Sequence, residues 1–351
     1  MNDQNFTKAV LAWYDTGHRG LPWRHTTDAY RIWVSEIMLQ QTRAETVVSY
    51  YERFLARYPT VYALAESSEE ELLKYWEGLG YYSRARSLHK AAKQIVSQHG
   101  GRLPASVEAL RALPGVGDYT AGAIASIAFG IPAAAVDGNV ERVICRYFAI
   151  EETVGTPAVR RMITERVKAL IPQDRPGAFS NAMMEMGATM CTPRNPACLL
   201  CPVRESCEGF RQGIAQELPH KPKKKAQRVE HRAVLLVLCK DRVLIRRREE
   251  KLLQGLFVFP DVLHDEGSVE PAALCTALEE MGVHAAYDER LGHAKHVFTH
   301  IVWEMDVHAL ISDSMAEIPG GQWVTRDELE SLPLPTAVKA ARQWAMERLG
   351  R

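Results

Sequence analysis

Four of the seven cysteines, Cys191, Cys198, Cys201 and Cys207, crowd into one short stretch, with six, two and five residues between them. So dense a group is more than core packing would collect, and in a chain that is not secreted it marks a metal site rather than a disulfide framework. The opening residues, Met1-Asn2-Asp3-Gln4-Asn5, lack a basic segment followed by an apolar one, so no secretory signal is expected and the chain is placed in the cytoplasm. Four thiolates hold either a structural zinc ion or a 4Fe-4S cluster, and spacing alone leaves both open.

Upstream of the cysteines, from residue 5 to about 170, apolar residues recur at helical spacing. Pro59, Gly78, Gly80, Gly100, Gly101, Pro114, Gly115, Gly130 and Pro132 punctuate them, and no strand alternation appears. The longest apolar run, residues 121–136, falls short of the roughly 20 residues that span a bilayer, so it reads as buried helix and no membrane association is expected. Downstream, Pro219-His220-Lys221-Pro222-Lys223-Lys224-Lys225 can bury little and reads as an exposed basic linker. The texture then changes. Ala233-Val234-Leu235-Leu236-Val237-Leu238, a polar turn at Lys240-Asp241 and Val243-Leu244-Ile245 predict strand, turn and strand. A helical stretch over about 270–281 and the segments 297–310 and 322–324 complete an α+β pattern. The expected organisation is an all-helical domain over 1–211, a basic linker over 212–228 and an α+β domain over 229–351. With 351 residues and 46% hydrophobic content, the chain is long enough to bury two cores. Lys+Arg and Asp+Glu both number 43, so a polyanionic partner would have to be met by local basic patches and backbone amides.

Leu113-Pro114-Gly115-Val116-Gly117 separates two helical patterns, and Asp118-Tyr119-Thr120-Ala121 opens the second. The two glycines permit backbone geometry closed to other residues and leave the amides of Gly115, Val116 and Gly117 bare beside a helix N-terminus, an arrangement suited to a phosphate. A plain tight connection between helices is the competing reading. Ala135-Val136-Asp137-Gly138-Asn139 follows, with Asp137 just ahead of a helical run, where it can serve as N-cap and as an ionised carboxylate at once. A second carboxylate, Glu36, lies among Ile32, Ile37 and Met38. Burial there raises a carboxyl pKa toward neutrality, which suits a general acid, unless Glu36 is paired with Arg24, Arg31 or Arg43.

The hairpin and Asp137 together resemble the helix-hairpin-helix-Gly/Pro-Asp superfamily of base-excision glycosylases. Leu21-Pro22-Trp23-Arg24, Glu36-Ile37-Met38-Leu39-Gln40-Gln41-Thr42 and Gly78-Leu79-Gly80-Tyr81-Tyr82-Ser83-Arg84-Ala85-Arg86 narrow the resemblance to the MutY-type adenine glycosylases. It implies that Glu36 protonates adenine while Asp137 stabilises, or transiently bonds to, the cationic sugar, the two-carboxylate logic of glycoside hydrolysis. Members that also cut the DNA backbone carry a lysine where this chain has Tyr119, so a monofunctional enzyme is implied; by itself a helix-opening tyrosine is ordinary packing. Arg24 and Asn139 would line the pocket or hold Asp137, Leu39 would contact the substrate, and Gln41 and Tyr81 would wedge the duplex open once the base is flipped out.

The cysteine spacing is that of the iron-sulfur loop of this family and of endonuclease III, so the resemblance selects the 4Fe-4S cluster, with Arg194, Arg204 and Arg211 available for phosphates. The C-terminal region resembles a Nudix domain whose catalytic box is incomplete: only Glu279-Glu280 and Gly282 remain, so no phosphohydrolase activity is expected. His296-Val297-Phe298-Thr299-His300 is similar to the lesion-reading loop of the family, with Thr299 in place of serine. Phe298, Thr299 and His300 are thereby expected at 8-oxoguanine, although Phe298 equally suits a core position. The implied substrate is double-stranded DNA holding adenine opposite 8-oxoguanine or guanine, engaged by a monomer. The rival within the superfamily, an endonuclease III-like glycosylase/lyase acting on pyrimidine lesions, is disfavoured by Tyr119 and by the extra C-terminal domain.

Overall fold

The computed structural model describes residues 3–223 and 226–350; Lys224 and Lys225 of the basic stretch lie outside the described residues. The chain forms two compact units, Met1–Ser67 with Arg86–Lys223, and Ser68–Ala85 with Lys224–Arg351. The helical region therefore lends residues 68–85 to the second unit, a division that helical periodicity does not reveal.

The helices in chain order are α1 (Asp3–Thr16), α2 (Ala29–Leu39), α3 (Ala44–Arg57), α4 (Val61–Glu66), α5 (Glu69–Tyr75), α6 (Ser83–His99), α7 (Val107–Arg111), α8 (Asp118–Phe129), α9 (Gly138–Tyr147), α10 (Pro157–Leu170), α11 (Pro176–Glu185) and α12 (Glu208–Arg211). Among the described residues of the first unit no strand forms. Polar residues set the helix starts: the side chains of Asp28, Thr60, Ser106, Asp137 and Thr156 each accept a backbone N–H of the turn that follows. Each such cap contributes about 1 kcal/mol. Phe6, Val10, Val143, Ile144, Tyr147, Ile163, Phe179 and Met183 join α1, α9, α10 and α11 in one core.

The apolar run 121–136 is not one helix. α8 stops at Phe129, because Gly130 takes the left-handed conformation (φ 65°) and Pro132 follows, and residues 131–137 run without helix to the cap at Asp137. The stretch after α12 is also less free than its composition suggests. Leu218 is buried, its carbonyl accepts from Arg146 Nε at 2.9 Å, and the His220 carbonyl accepts from Val154 N at 2.9 Å.

The second unit holds a seven-stranded mixed sheet: β1 (Arg228–Cys239), β2 (Arg242–Arg247), β3 (Phe257–Val258), β4 (Asp261–His264), β5 (Ala286–Val297), β6 (Ile301–Ile311) and β7 (Gly321–Val324). β1 runs parallel to β6, with Val234 opposite Val307, and every other pairing is antiparallel. The run 233–238 reads as continuous apolar sequence because both faces of β1 are covered. Ala233, Leu235 and Val237 pack with Leu274 and Leu278 of α13 (Pro271–Glu280), while Val234, Leu236 and Leu238 share a core with Leu329 of α14 (Arg326–Ser331) and Ala341 of α15 (Lys339–Leu349). The stretch around 297 holds a hairpin rather than one element: β5 and β6 meet at a turn over residues 298–300, which puts Phe298, Thr299 and His300 at its tip.

Candidate active site

α2 buries nearly every residue from Tyr30 to Met38, and Glu36 lies among them at 3% exposure. None of the three arginines considered above is its hydrogen-bond partner. Tyr119, on the first turn of α8, donates its hydroxyl to Glu36 Oε2 at 2.6 Å and also lies 3.2 Å from Met184 Sδ. Burial pushes the Glu36 carboxyl up to about 7, against the hydrogen bond from Tyr119 and with help from the charge of Asp137. The Tyr119 phenol is itself driven well upward, by burial first and then by Glu36 and Asp137. A neutral phenol that donates to Glu36 leaves the other carboxyl oxygen to carry the proton.

Asp137 occupies the N-cap of α9. Its Oδ1 accepts the backbone N–H of Asn139 at 2.9 Å and of Val140 at 2.8 Å, and its Oδ2 accepts from Asn139 Nδ2 at 2.8 Å. Burial pushes its carboxyl above the ordinary range, while those three donors and the charge of Arg142 pull against that rise. Arg142 holds Asn139 in turn: Nη2 donates to Asn139 Oδ1 at 2.9 Å and to the Gly187 carbonyl at 2.6 Å, and Nε donates to the Cys191 carbonyl at 2.7 Å. α11 continues into a π-helical turn, Met186–Met190, which carries the chain past this point to Cys191. A side chain at Gly187 would place its Cβ 2.5 Å from Asn139 Cβ and 2.9 Å from the Asn139 backbone, so only glycine lets the two segments approach.

The hairpin between α7 and α8 departs from expectation at one residue. Gly115, at φ 77°, is required both by its left-handed backbone and by Ser87, whose Cβ lies 2.6 Å from where a Cβ would stand. Gly117, at φ −93° and ψ −176°, has backbone open to any residue and free space where a Cβ would go, so its glycine leaves the amide uncovered and has no conformational duty. The Val116 side chain is buried, which leaves only its backbone for a ligand.

Cys191, Cys198, Cys201 and Cys207 line one cavity together with Val143, Met186, Met190, Pro196, Val203 and Phe210. Among the described residues no three Cys, His, Asp or Glu side chains converge as they would on a single ion. Four thiols around one cavity suit a multi-iron cluster. Arg146, fully buried, points Nη1 at Cys191 Sγ (3.4 Å) and at the Thr192 carbonyl (2.7 Å), placing a positive charge against the cavity wall.

Comparison with known proteins agrees with this geometry. Residues 34–169 match the HhH-GPD superfamily of base excision DNA repair proteins, residues 191–207 the iron-sulfur binding domain of endonuclease III, and residues 233–343 the NUDIX domain. The adenine DNA glycosylase of Homo sapiens is 35% identical over 95% of this chain and 72% of its own length, and that of Rattus norvegicus is 35% identical over 95% and 76%. The chain belongs to the adenine DNA glycosylase family. A thermostable thymine-DNA glycosylase structure shares the fold of the helical part, with TM-score 0.55 and 31% identity over 60% of this chain and 97% of that one. As in other members carrying the endonuclease III iron-sulfur domain, the cofactor is a 4Fe-4S cluster. No helix of the described residues is long and apolar enough to cross a membrane.

The remaining residues singled out by the family resemblance fall as follows. Leu39 is the half-buried last residue of α2, and Gln41, just beyond, is exposed at φ 60°. Tyr81 is likewise exposed, at φ 47°, so both expected wedge residues hold a backbone conformation that costs a side-chain-bearing residue about 1 kcal/mol or more. In the second unit, Tyr81 and Thr299 meet, with their hydroxyls 3.1 Å apart. Phe298 is half-buried against Trp303 (ring centroids 4.9 Å) and His296 (4.5 Å), while Thr299 and His300 are exposed. Arg24 does not hold Asp137: its Nη2 donates to Glu185 Oε2 at 2.7 Å and its Nη1 to the Arg19 carbonyl at 3.2 Å. Arg204 and Arg211 are paired with Glu205 and Glu208.

Glu185 went unnoticed in the sequence. It is buried at 2% exposure, and although burial would raise its carboxyl, hydrogen bonds from Arg19 and Arg24 overcome this and hold it at about 2. The available signal was the one that found Glu36, a carboxylate inside an apolar helical run. Arg142 was missed for a different reason, since the carbonyls it binds beyond its own helix, Gly187 and Cys191, lie far along the chain. Arg142→Met is expected to strand the Gly187 carbonyl and the Asn139 side-chain oxygen, to leave the Cys191 carbonyl only its 3.3 Å bond from Arg146, and to destabilise the fold by roughly 2–4 kcal/mol. Thermal unfolding and iron content per chain would measure it; an unchanged midpoint with full iron loading would contradict this role.

Proposed function

We propose that the protein removes adenine from duplex DNA where it stands opposite 8-oxoguanine, and less readily opposite guanine, as a monofunctional hydrolase acting as a monomer. The observation that carries this reading is two carboxyl groups in unlike surroundings: Glu36, buried, raised to about 7 and bonded by the Tyr119 hydroxyl, and Asp137, bound by three N–H donors at a helix N-terminus. Two carboxyl groups kept in unlike states are what cleavage of a glycosidic bond needs.

In this reading the adenine is flipped from the stack, with Gln41 and Tyr81 filling the gap and the amides of residues 115–117 gripping a phosphate. Glu36 passes its proton to adenine N7. The C1′–N9 bond breaks with its electron pair going to the base, and Asp137 stabilises the sugar cation until water adds at C1′ and yields its proton to the carboxylate that Glu36 has become. Asn139 orients Asp137, Tyr119 orients Glu36, and Leu39, with Arg24 fixed by Glu185, bounds the pocket. The four cysteines hold the cluster, which supplies structure and placement on DNA. Phe298, Thr299 and His300, at the tip of the β5–β6 hairpin, read the opposing lesion.

Release of adenine from duplexes with adenine opposite 8-oxoguanine, guanine and cytosine, with and without alkaline strand cleavage, tests the whole. The expected result is base release fastest opposite 8-oxoguanine, with strand breaks only after alkali and no borohydride-trapped adduct. Strand scission without alkali together with efficient trapping would instead assign lyase chemistry. For the lesion loop, Phe298→Ala with Thr299→Ala is expected to lower the preference for 8-oxoguanine over guanine by at least tenfold, since one well-placed hydrogen bond and one aromatic contact are each worth roughly 1–1.5 kcal/mol. An unchanged ratio would remove this loop from lesion recognition.

A further inference from the structure

Within the second unit, the loop that carries Tyr81 is anchored at its α5 end by two cations. At the end of α5, Lys74 Nζ donates to the carbonyls of Glu330 (2.6 Å) and Leu332 (3.1 Å) and to Glu77 Oε2 (2.7 Å). From α15, Arg342 Nη1 donates to Glu77 Oε1 at 2.7 Å, and Nη2 to the carbonyls of Leu329 (3.1 Å) and Glu330 (2.9 Å). Two cations thus satisfy carbonyls left open at the C-terminal end of α14, where the helix dipole is negative, and Glu77 binds both. All three side chains are half-buried, at 31%, 22% and 22% exposure.

The next residues transmit that anchorage. Trp76, fully buried, donates Nε1 to the Gly80 carbonyl at 3.1 Å, and Arg84 Nη2 donates to the carbonyls of Leu79 (3.1 Å) and Gly80 (3.2 Å). The Arg84 guanidinium lies over both the Trp76 and Tyr81 rings, at 5.4 Å and 5.5 Å. Tyr81, in its left-handed conformation, then meets Thr299 across 3.1 Å. A strained exposed residue keeps one conformation only where its surroundings impose it.

We propose that the Lys74–Glu77–Arg342 clasp is a specificity-determining positioning device, which holds the Tyr81 loop in register with the Phe298–Thr299 turn so that the two meet a damaged base pair as one rigid surface. This rests on the reading of that turn as the lesion sensor. The clasp residues act through Tyr81 and do not touch the reacting atoms.

The test is single-turnover adenine release by the full-length, cluster-loaded protein from duplexes with adenine opposite 8-oxoguanine and opposite guanine. Arg342→Met and Glu77→Gln are each expected to lower the ratio of the two rates about fivefold, with the rate opposite guanine changed less than twofold. Arg342→Lys, which keeps the charge but cannot fork to Glu77 and the carbonyls at once, should give a ratio between those of the parent and Arg342→Met. In a Tyr81→Phe background, where the hydroxyl that meets Thr299 is gone, Arg342→Met should cost little further preference. A purely structural role would instead lower both rates together and add to Tyr81→Phe, and that outcome overturns the proposal. A parent that prefers 8-oxoguanine while both clasp variants keep the full ratio overturns the clasp alone. A parent with no preference removes the lesion-sensor reading and the clasp with it.

Discussion

Glu36→Gln is expected to lower adenine release by about a thousandfold or more while leaving the chain folded and, above neutral pH, more stable than the parent. The amide has nearly the volume of the carboxyl and still accepts the Tyr119 hydroxyl, now 2.6 Å from Oε2, so no cavity opens and no donor is stranded. What it lacks is a transferable proton, and a positioned general acid is worth roughly a hundred- to ten-thousandfold. The stability gain follows from linkage. The folded state holds the Glu36 proton up to about pH 7, whereas the unfolded chain loses it near 4.5, so between those values the folded state binds more protons and stability falls as pH rises. The penalty is complete above pH 7 and on the order of 3 kcal/mol at most. Glutamine does not carry it. The melting midpoints of parent and variant should therefore coincide near pH 4.5 and separate by pH 8, with the variant higher. The parent's single-turnover rate should decline above about pH 7 as the acid form is lost. Near-normal release by the variant would end the assignment of Glu36 as the acid.

Asp137→Asn separates two duties of one residue. Asparagine caps helices as well as aspartate does, so the bonds to the N–H groups of Asn139 and Val140 survive, while the bond from Asn139 Nδ2 is lost and unfolding should shift by about 1–2 kcal/mol. The negative charge is lost, and electrostatic stabilisation of a developing ion by one preorganised group is worth about a hundred- to thousandfold. Asp137→Ala should lose the same activity and, in addition, about 1 kcal/mol of stability from the missing cap. If the asparagine variant kept more than a tenth of the parental rate, the carboxylate would be a cap and nothing more.

The parts of this site legible in the sequence are those in which neighbours along the chain are also neighbours in space. Asp137 and Asn139 are bound to one another across two residues, and the hairpin at Gly115 closes within five, so short motifs describe them fully. Glu36 was legible as an anomaly, a charge where the helix pattern demands an apolar side chain. Its partner was not: the arginines nearby in sequence were the natural candidates, yet the bond comes from Tyr119, and Arg24 belongs to Glu185. The hairpin that presents residues 298–300 was only half visible, because β5 exposes alternate polar residues on an outer strand and carries no apolar run. The assignment of residues 68–85 to the second unit was invisible, since their helical spacing matches that of the segments on either side.

By itself, then, the sequence determined the residue types and their local order: a cluster of four thiols marking a metal site, a glycine hairpin ahead of a helix, an aspartate at a helix start, a carboxylate in an apolar helix, and a change from helical to strand periodicity after the basic stretch. Those follow from backbone sterics and from the period of the apolar pattern, which act over a few residues. Only the tertiary structure decided which carboxylate holds a proton, through the burial of Glu36 and its bond to a residue 83 positions away. It likewise decided that Arg142 joins Asn139 to Cys191 and Gly187, and that Tyr81 is held against Thr299. Protonation and orientation depend on desolvation and on hydrogen bonds between distant segments, and these exist only once the chain has closed on itself.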